Sequence, residues 1–143
     1  MWNALRPELK GLDPVRIESH ISSGVPDVNY VHGWIELKFK DSWPKRERTP
    51  LRLEHFTKEQ RTWLRKRAAA GGRVFLLLKV GLNEWLLFRG ERAAVVVGSL
   101  PRADLYLEVE ARWTRKPNKA ELICHLCPTS KSPSASPETN ENA

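Results

Sequence analysis

Three carboxylates and one ammonium group in the first third of the sequence have the types and spacing that metal-assisted chemistry needs. Glu18 and Asp27 are followed by Glu36 and then, two residues later, by Lys38. On an extended strand, positions two apart project from one face about 6.6–6.8 Å from each other, which is close enough to share one site. On the strand pattern alone, the favoured interpretation is that Glu36 and Lys38 are ordinary solvent-facing residues of an edge strand.

Carboxylate oxygens are the ligands that Mg²⁺ prefers, and Mn²⁺ is the expected substitute. A divalent ion held by such a group polarises a phosphate and activates water. A neighbouring lysine can orient that water, help to deprotonate it, or neutralise charge that develops on the phosphate oxygens. The residue set therefore predicts Mg²⁺-assisted hydrolysis of a phosphodiester.

The elements that must position these groups begin with a predicted helix over residues 14–23. Asp13 has the type of an N-cap, Pro14 suits the first helical position, and Gly24 is a natural stop. Ile17 and Ile21 would then face the core, with Glu18 at the edge of that apolar face.

A hairpin is predicted next, with strands over residues 27–31 and 34–40 and Gly33 at the turn. The second strand alternates clearly. One face carries Ile35, Leu37 and Phe39, and the other carries Glu36, Lys38 and Lys40.

The later sequence predicts a second helix over residues 58–70, capped by Thr57 with Gln60 as its capping-box partner. Strands are predicted over 73–80, 84–88 and 93–97, and a helix over 101–113 with Leu105, Val109 and Trp113 inward. Residues 121–126 fit either a helix or a strand. This order indicates an α/β or α+β domain with a mixed central sheet flanked by helices. The domain covers residues 1–127, and the Ser/Pro-rich residues 128–143 are predicted to be a disordered tail.

Basic charge is concentrated in one region of the chain. The formal charge is +7, from 24 basic and 17 acidic residues. Residues 45–73 contain ten basic and three acidic residues, which already amounts to +7. Such a region suits phosphates, although a merely solvated basic surface is the plain alternative. We nominate Arg61, Arg65, Lys66 and Trp43 for contact with DNA.

A membrane partner is less well supported, because the most apolar run, residues 74–78, is too short to span a bilayer. The first residues lack a signal-peptide hydrophobic stretch, so we expect a cytoplasmic protein, or one in the host cytoplasm if a phage encodes it. Cys124 and Cys127 are then expected to be reduced thiols. Their C-x-x-C spacing also fits half of a zinc site.

Five short segments carry a family resemblance. Gly24-Val25-Pro26-Asp27, followed after eight residues by Glu36-Leu37-Lys38, resembles the signature of the PD-(D/E)xK nuclease superfamily. Arg16-Ile17-Glu18 resembles that superfamily's helix-borne acid. Residues 57–64 and 71–75 resemble the continuation found in virus-type replication-repair nucleases and phage Holliday junction resolvases. The resemblance extends over roughly residues 15–88.

The resemblance implies a restriction-endonuclease-like core with Asp27 and Glu36 as metal ligands and Lys38 as the catalytic lysine. Glu18 would be a further ligand or would hold a metal-bound water. Gln60 would contact the active site, unless it serves only to cap its helix.

The implied function is an endodeoxyribonuclease, structure-specific in the manner of Holliday junction resolvases, in DNA repair, recombination or phage replication. The alternative is a DNA-binding module on the same fold that has lost catalysis. Symmetric junction cleavage needs two sites, so a homodimer is also expected. The stripe of Leu105, Val109 and Trp113 is its candidate pairing face, and the competing interpretation is that this stripe simply covers the sheet.

Overall fold

One six-stranded sheet organises the chain in a computed structural model that describes residues 1–19 and 21–129. The strands, in chain order, are β1 (Val15–Arg16), β2 (Val28–Tyr30), β3 (Gly33–Lys40), β4 (Val74–Val80), β5 (Glu84–Arg89) and β6 (Ala111–Trp113). The helices are α1 (Trp2–Leu5), α2 (Lys58–Ala69), α3 (Gly90–Val96), α4 (Arg102–Glu108) and α5 (Lys119–Leu126), and a 3₁₀ turn spans Arg6–Leu9.

Strand order in the sheet follows chain order. Strands β3 and β4 are parallel and are connected through α2, whereas the other neighbouring pairs are antiparallel. A parallel pair needs such a crossover, because a tight turn can join only antiparallel strands. The predicted mixed sheet flanked by helices is confirmed.

Both faces of the sheet are covered, and β4 shows this most directly. Leu76 and Leu78 pack into a core cluster with residues of α2, α3 and α4, while Phe75 and Leu77 pack into a second cluster with residues of α1, the 3₁₀ turn and α5. Buried strands of this kind read as continuous apolar runs, as β4 does. The sheet is therefore the middle layer of three.

The predicted hairpin and the predicted second helix are confirmed. Val28 pairs with Ile35 across the hairpin, and Tyr30 pairs with Gly33. A Cβ atom at Gly33 would lie 2.2 Å from the carbonyl oxygen of Arg73, so only glycine fits there. Helix α2 begins after Thr57 with the capping box in place.

The predicted helix over residues 14–23 is wrong. Asp13 has a positive φ of 50°, which is incompatible with the extended conformation of an N-cap. Val15 and Arg16 instead pair with Asn29 and Val28 as an edge strand. The supposed inward residue Ile21 is 99% exposed. A single pair of apolar residues four apart was too short a pattern to outweigh strand pairing.

Two later predictions also need correction. Residues 93–97 are not a strand: α3 occupies Gly90–Val96 and buries Ala93, Ala94 and Val96, because its apolar positions recur at helical spacing. The helix predicted over 101–113 ends at Glu108, and Ala111–Trp113 joins the sheet beside β5. The ambiguous residues 121–126 belong to helix α5.

The stripe proposed as a dimer face does not exist as one surface. Leu105 is fully buried in the cluster on the α2 side, and Val109 packs against that cluster. Trp113 packs against the cluster on the opposite side of the sheet. These residues therefore hold the monomer's own layers together.

Within residues 1–19 and 21–129, no helix is long and apolar enough to cross a membrane. The predicted tail falls almost wholly outside the described residues, which end at 129.

Candidate active site

Strand β3 and helix α2 together position most of the predicted site. Glu36 and Lys38 are aligned with Leu76 and Leu78 of β4, and all four side chains belong to the face of the sheet that α2 covers. Asp27 immediately precedes β2, and its Oδ2 accepts a 2.8 Å hydrogen bond from the backbone N–H of Leu37. This bond fixes Asp27 against the strand that carries the other two groups.

Glu36 is an ionisable group in an almost dry position, with 1% of its surface exposed. Its Oε1 lies 3.1 Å from Lys38 Nζ and accepts a 3.2 Å hydrogen bond from Gln60 Nε2. Its Oε2 is buried and has no hydrogen-bond partner among the residues that the structure describes. Burial, assisted by the nearby Asp27 charge and opposed by Lys38, raises the pKa of Glu36 to about 8.

Lys38 is held by three acceptors. Besides Glu36, its Nζ donates to the carbonyl oxygen of His55 at 2.8 Å and to Gln60 Oε1 at 3.0 Å. An ammonium group has three donors, so these contacts define its position. The lysine that the sequence singles out is therefore a pre-positioned charge.

Gln60 fills both of the roles that the sequence left open. Its Oε1 accepts from the backbone N–H of Thr57 at 3.0 Å, and its backbone N–H donates to Thr57 Oγ1 at 3.2 Å, which completes the capping box. The same amide group contacts Glu36 and Lys38. Capping and site contact are thus compatible because the first turn of α2 faces β3.

Glu18 is not brought into this group. It lies in the exposed segment after β1, and no set of three His, Cys, Asp or Glu side chains close enough to hold a metal ion is found within residues 1–19 and 21–129. Its predicted role as a ligand stays a prediction. The sequence analysis missed Arg16, whose Nη1 lies 3.4 Å from Asp27 Oδ1. Its place beside Glu18 was the available signal, but a two-residue edge strand gives little pattern to read.

The donor set fits a hard divalent cation. Asp27, just before β2, and Glu36, in β3, supply the carboxylate oxygens, and Glu36 Oε2 is a buried acceptor without a donor in the described structure. A buried, unpartnered carboxylate oxygen is costly unless a cation or proton balances it. These two residues could hold Mg²⁺ or Mn²⁺.

The nominated basic residues divide into two kinds. Arg61 is turned inward: its Nη1 donates to the carbonyl oxygens of Ala94 and Val97 at 2.9 and 2.8 Å, and burial lowers its pKa. Arg65 and Lys66 are exposed and form no ion pair within the described part of the chain. Lys66 also lines an open cleft of about 370 Å³ together with Lys58.

Trp43 is placed in a polar cluster rather than in a free loop. Its indole Nε1 donates to Glu84 Oε1 at 2.5 Å, and its ring meets Tyr106 edge-to-face at 5.7 Å between centroids. The side chain is half-buried. The guanidinium of Arg102 also lies over the ring, 5.0 Å from its centroid, so a base would have to compete with this contact for that face of the indole.

The C-x-x-C pair lies at the end of α5. Cys124 is exposed, Cys127 is half-buried, and neither forms a disulfide within the described residues. No third metal-ligating side chain joins them in that part of the chain.

No protein-family model and no curated protein matches this chain. Among solved structures, it is similar to Hjc, a Holliday junction resolvase of the archaeal hyperthermophile Archaeoglobus fulgidus. The identity is 20%, the TM-score is 0.40, and the match covers 63% of this chain and 69% of that one.

Proposed function

We propose that this protein is a Mg²⁺-dependent endodeoxyribonuclease, structure-specific in the manner of a Holliday junction resolvase, with a role in DNA recombination, repair or phage replication. The observation that carries the proposal is the buried Glu36, whose Oε1 is bound by Lys38 and Gln60 while its Oε2 is left without a donor in the described structure. Burying a carboxylate costs free energy unless a cation balances its charge, so this burial is favourable if the site binds a cation.

Each residue of the site has a defined task in this proposal. Asp27 and Glu36 bind the divalent ion, and Mn²⁺ is an acceptable substitute. The bound ion supplies Lewis-acid activation of the phosphate and of water. Lys38 places its ammonium group beside Glu36, where it can orient the attacking water or stabilise charge on the phosphate oxygens. Gln60 is a positioning residue, because it bridges Glu36 and Lys38.

DNA is the proposed substrate because helix α2, whose Gln60 contacts the site, carries exposed cations that have no salt-bridge partner within the described residues. Lys58 and Lys66 line the cleft beside the first turns of α2, and Arg65 is exposed on the same helix. The first turn of that helix also carries Gln60, so a phosphate backbone bound along α2 would pass the carboxylate pair. Neutralisation of phosphates by such side chains supplies most of the sequence-independent affinity for DNA.

The direct test is a cleavage assay of the purified full chain on linear, nicked, single-stranded and four-way DNA. We expect Mg²⁺-dependent cleavage with preference for the four-way substrate, and loss of cleavage in EDTA or in Glu36→Gln. The Glu36→Gln variant keeps the size of the side chain and removes the ligand charge. Its binding to DNA should persist, which separates lost catalysis from lost folding.

The second candidate is a DNA-binding module that has lost catalysis, and two observations favour it. Arg16 pairs with Asp27 Oδ1 at 3.4 Å, which occupies a proposed ligand oxygen with a cation. Glu18 also stands outside the group of site residues. Tight DNA binding with no cleavage in either Mg²⁺ or Mn²⁺ on any of the four substrates would select this candidate.

A homodimer completes the proposal, because symmetric junction cleavage needs two opposed cuts and one carboxylate pair serves one strand at a time. Sedimentation at micromolar concentration, with and without four-way DNA, tests it. We expect a dimer at least on the junction. A monomer in both conditions would leave a nicking or flap-cutting nuclease as the better description.

A further inference from the structure

We propose that a second cleft, between residues 44–49 and the start of helix α4, binds the phosphate backbone of duplex DNA beyond the catalytic site. The cleft has a volume of about 500 Å³ and does not include Asp27, Glu36 or Lys38. The inference deepens the proposed function, since it assumes that DNA is the partner, and it names where a flanking part of the duplex is held.

The lining of this cleft has an excess of positive charge. Lys45, Arg46 and Arg102 line it, together with one carboxylate, Glu47, and the hydroxyl of Thr49. Lys45 and Arg46 are exposed, and neither forms a salt bridge within the described residues. Guanidinium, ammonium and hydroxyl groups are the usual side-chain partners of DNA phosphates.

A hydrogen-bonded cluster around Glu84 fixes Tyr106, which lines the cleft. Glu84 accepts from Trp43 Nε1 at 2.5 Å and from the Tyr106 hydroxyl at 2.7 Å, and it pairs with Arg112 at 2.7 Å. These bonds lower the pKa of Glu84 and use its negative charge inside the protein. The guanidinium of Arg102 lies 5.0 Å from the Trp43 ring centroid and 3.8 Å from Glu84 Oε1. Arg102 is therefore a paired cation, and the free positive charge of the cleft comes from Lys45 and Arg46.

The polypeptide connects this cleft to the catalytic residues. The segment that contains Lys45 and Arg46 follows β3 directly, and further along it the carbonyl oxygen of His55 binds Lys38 Nζ. Lys45 lies seven positions after Lys38, so the two Cα atoms lie at most about 25 Å apart. At 3.4 Å per base pair, that reach corresponds to at most about seven base pairs of duplex.

This placement favours DNA over an acidic protein as the occupant. A duplex that is bound at the carboxylate pair and runs towards the end of β3 would bring phosphates to Lys45 and Arg46 within a single helical turn. The free cations of this cleft and those of α2 would then contact the same duplex.

The test uses the full chain carrying Glu36→Gln, so that bound DNA stays intact. In that background, Lys45→Ala/Arg46→Ala should weaken binding to a duplex of about 30 base pairs by roughly tenfold and reduce the slope of log K against log salt by about 1.8. The matched control, Arg89→Ala/Arg92→Ala, removes the same charge from side chains paired with Glu110 and Glu108 and should leave the slope unchanged. Phosphate-ethylation interference should lose signals only on the flank served by the cleft.

An unchanged slope for Lys45→Ala/Arg46→Ala, or an equal loss in the control, overturns the inference. An unchanged slope combined with weaker binding of a polyglutamate peptide would assign the cleft to an acidic protein instead. None of these readings requires cleavage. A failure of the proposed nuclease activity would appear in the wild-type protein and is distinguishable from failure of this cleft.

Discussion

Two basic regions of this molecule use their charge in opposite ways. Each of the six basic residues between positions 89 and 116 forms a salt bridge with a glutamate: Arg89, Arg92, Arg102, Arg112, Arg115 and Lys116. None of the ten basic residues between positions 45 and 73 does so within the described structure.

The ten residues of the second region are themselves of two kinds. Arg61 and Arg73 donate to backbone carbonyls, and Arg67 lies over the Trp63 ring. The other seven have neither a salt bridge nor a side-chain hydrogen bond in the part of the chain described: Lys45, Arg46, Arg48, Arg52, Lys58, Arg65 and Lys66. Net charge alone would not separate these groups. The salt bridges and hydrogen bonds of each side chain do separate them. Cations without such contacts remain available to an external polyanion.

The largest expected effect concerns Lys38, a paired cation that we place in catalysis rather than in binding. Lys38→Ala should lower the cleavage rate by about a thousandfold or more, because it removes a fixed charge beside the carboxylate pair. Affinity for DNA should stay close to that of the wild type. Single-turnover cleavage and filter binding measure the two quantities separately.

Lys40→Ala is the matched control, since Lys40 lies on the same strand and on the same face. Near-normal cleavage by Lys38→Ala would remove this residue from the catalytic group.

The contrast between free and paired cations predicts the next largest effect. Lys58→Ala/Arg65→Ala/Lys66→Ala should reduce the slope of log K against log salt for duplex DNA by about 2.7, because each neutralised phosphate contributes about 0.9. Arg89→Ala/Arg92→Ala/Arg115→Ala loses the same charge and should keep the wild-type slope, since its arginines are engaged by glutamates. Equal slopes of log K against log salt in the two triple variants would show that the cations of residues 45–73 and those of residues 89–116 do not differ in their contact with DNA.

Glu36 allows a test on a carboxyl group instead of a cation, because it is buried and its Oε2 has no partner within the described residues. Its pKa is raised from 4.5 to about 8, so the folded protein holds this proton more tightly than the unfolded chain. In EDTA, the free energy of unfolding should therefore fall as pH rises from about 4.5 to about 8, by on the order of a few kcal/mol. Urea titrations across this range measure it.

Glu36→Gln should lack this part of the pH dependence and should be the more stable protein at pH 8 in EDTA. Added Mg²⁺ should restore stability to the wild type at pH 8 but not to the variant. The same pH profile in both proteins would contradict the assigned role of Glu36.

The smallest expected effect is that of Arg61→Ala on stability. It distinguishes a cation that is bound inside the protein from the cations that are free to bind DNA. Arg61→Ala should lower the free energy of unfolding by about 1–3 kcal/mol, because it leaves the carbonyls of Ala94 and Val97 without their donor. It should leave the salt dependence of DNA binding nearly unchanged. A reduced salt slope with unchanged stability would return Arg61 to the DNA-contacting group.

The parts of the fold that the sequence predicts are those whose signals are local. The hairpin around Gly33 and the capping box of Thr57 and Gln60 each depend on residues within a few positions of each other. Strand β1 has two residues, so no alternation could reveal it. Trp113 pairs with Trp85 from a three-residue strand, and a helical spacing from Leu105 to Trp113 was a coincidence of sequence.

The sequence predicted those site residues that lie on one secondary-structure element or on the element next to it in the chain. Asp27, Glu36 and Lys38 meet because a hairpin is local. Arg16 reaches Asp27 through β1, and the carbonyl of His55 reaches Lys38 from a loop; neither contact leaves a pattern in side-chain type. The Arg61 side chain points inward because it donates to the carbonyl oxygen of Ala94 in α3. The sequence predicts a strand over residues 93–97 instead, so this contact was not foreseeable.

One amide side chain links two equilibria in this protein. Gln60 closes the first turn of α2 through Thr57 and also bridges Glu36 and Lys38. Fraying of that turn would break the contacts of Gln60 with Glu36 and Lys38. Movement of those two side chains would likewise weaken the hydrogen bond between Gln60 and Thr57. The population of the ordered site is therefore bounded by the population of the ordered helix start. A mutational path that alters the chemistry at this position must also re-establish helix nucleation, so few amino acids can satisfy both demands.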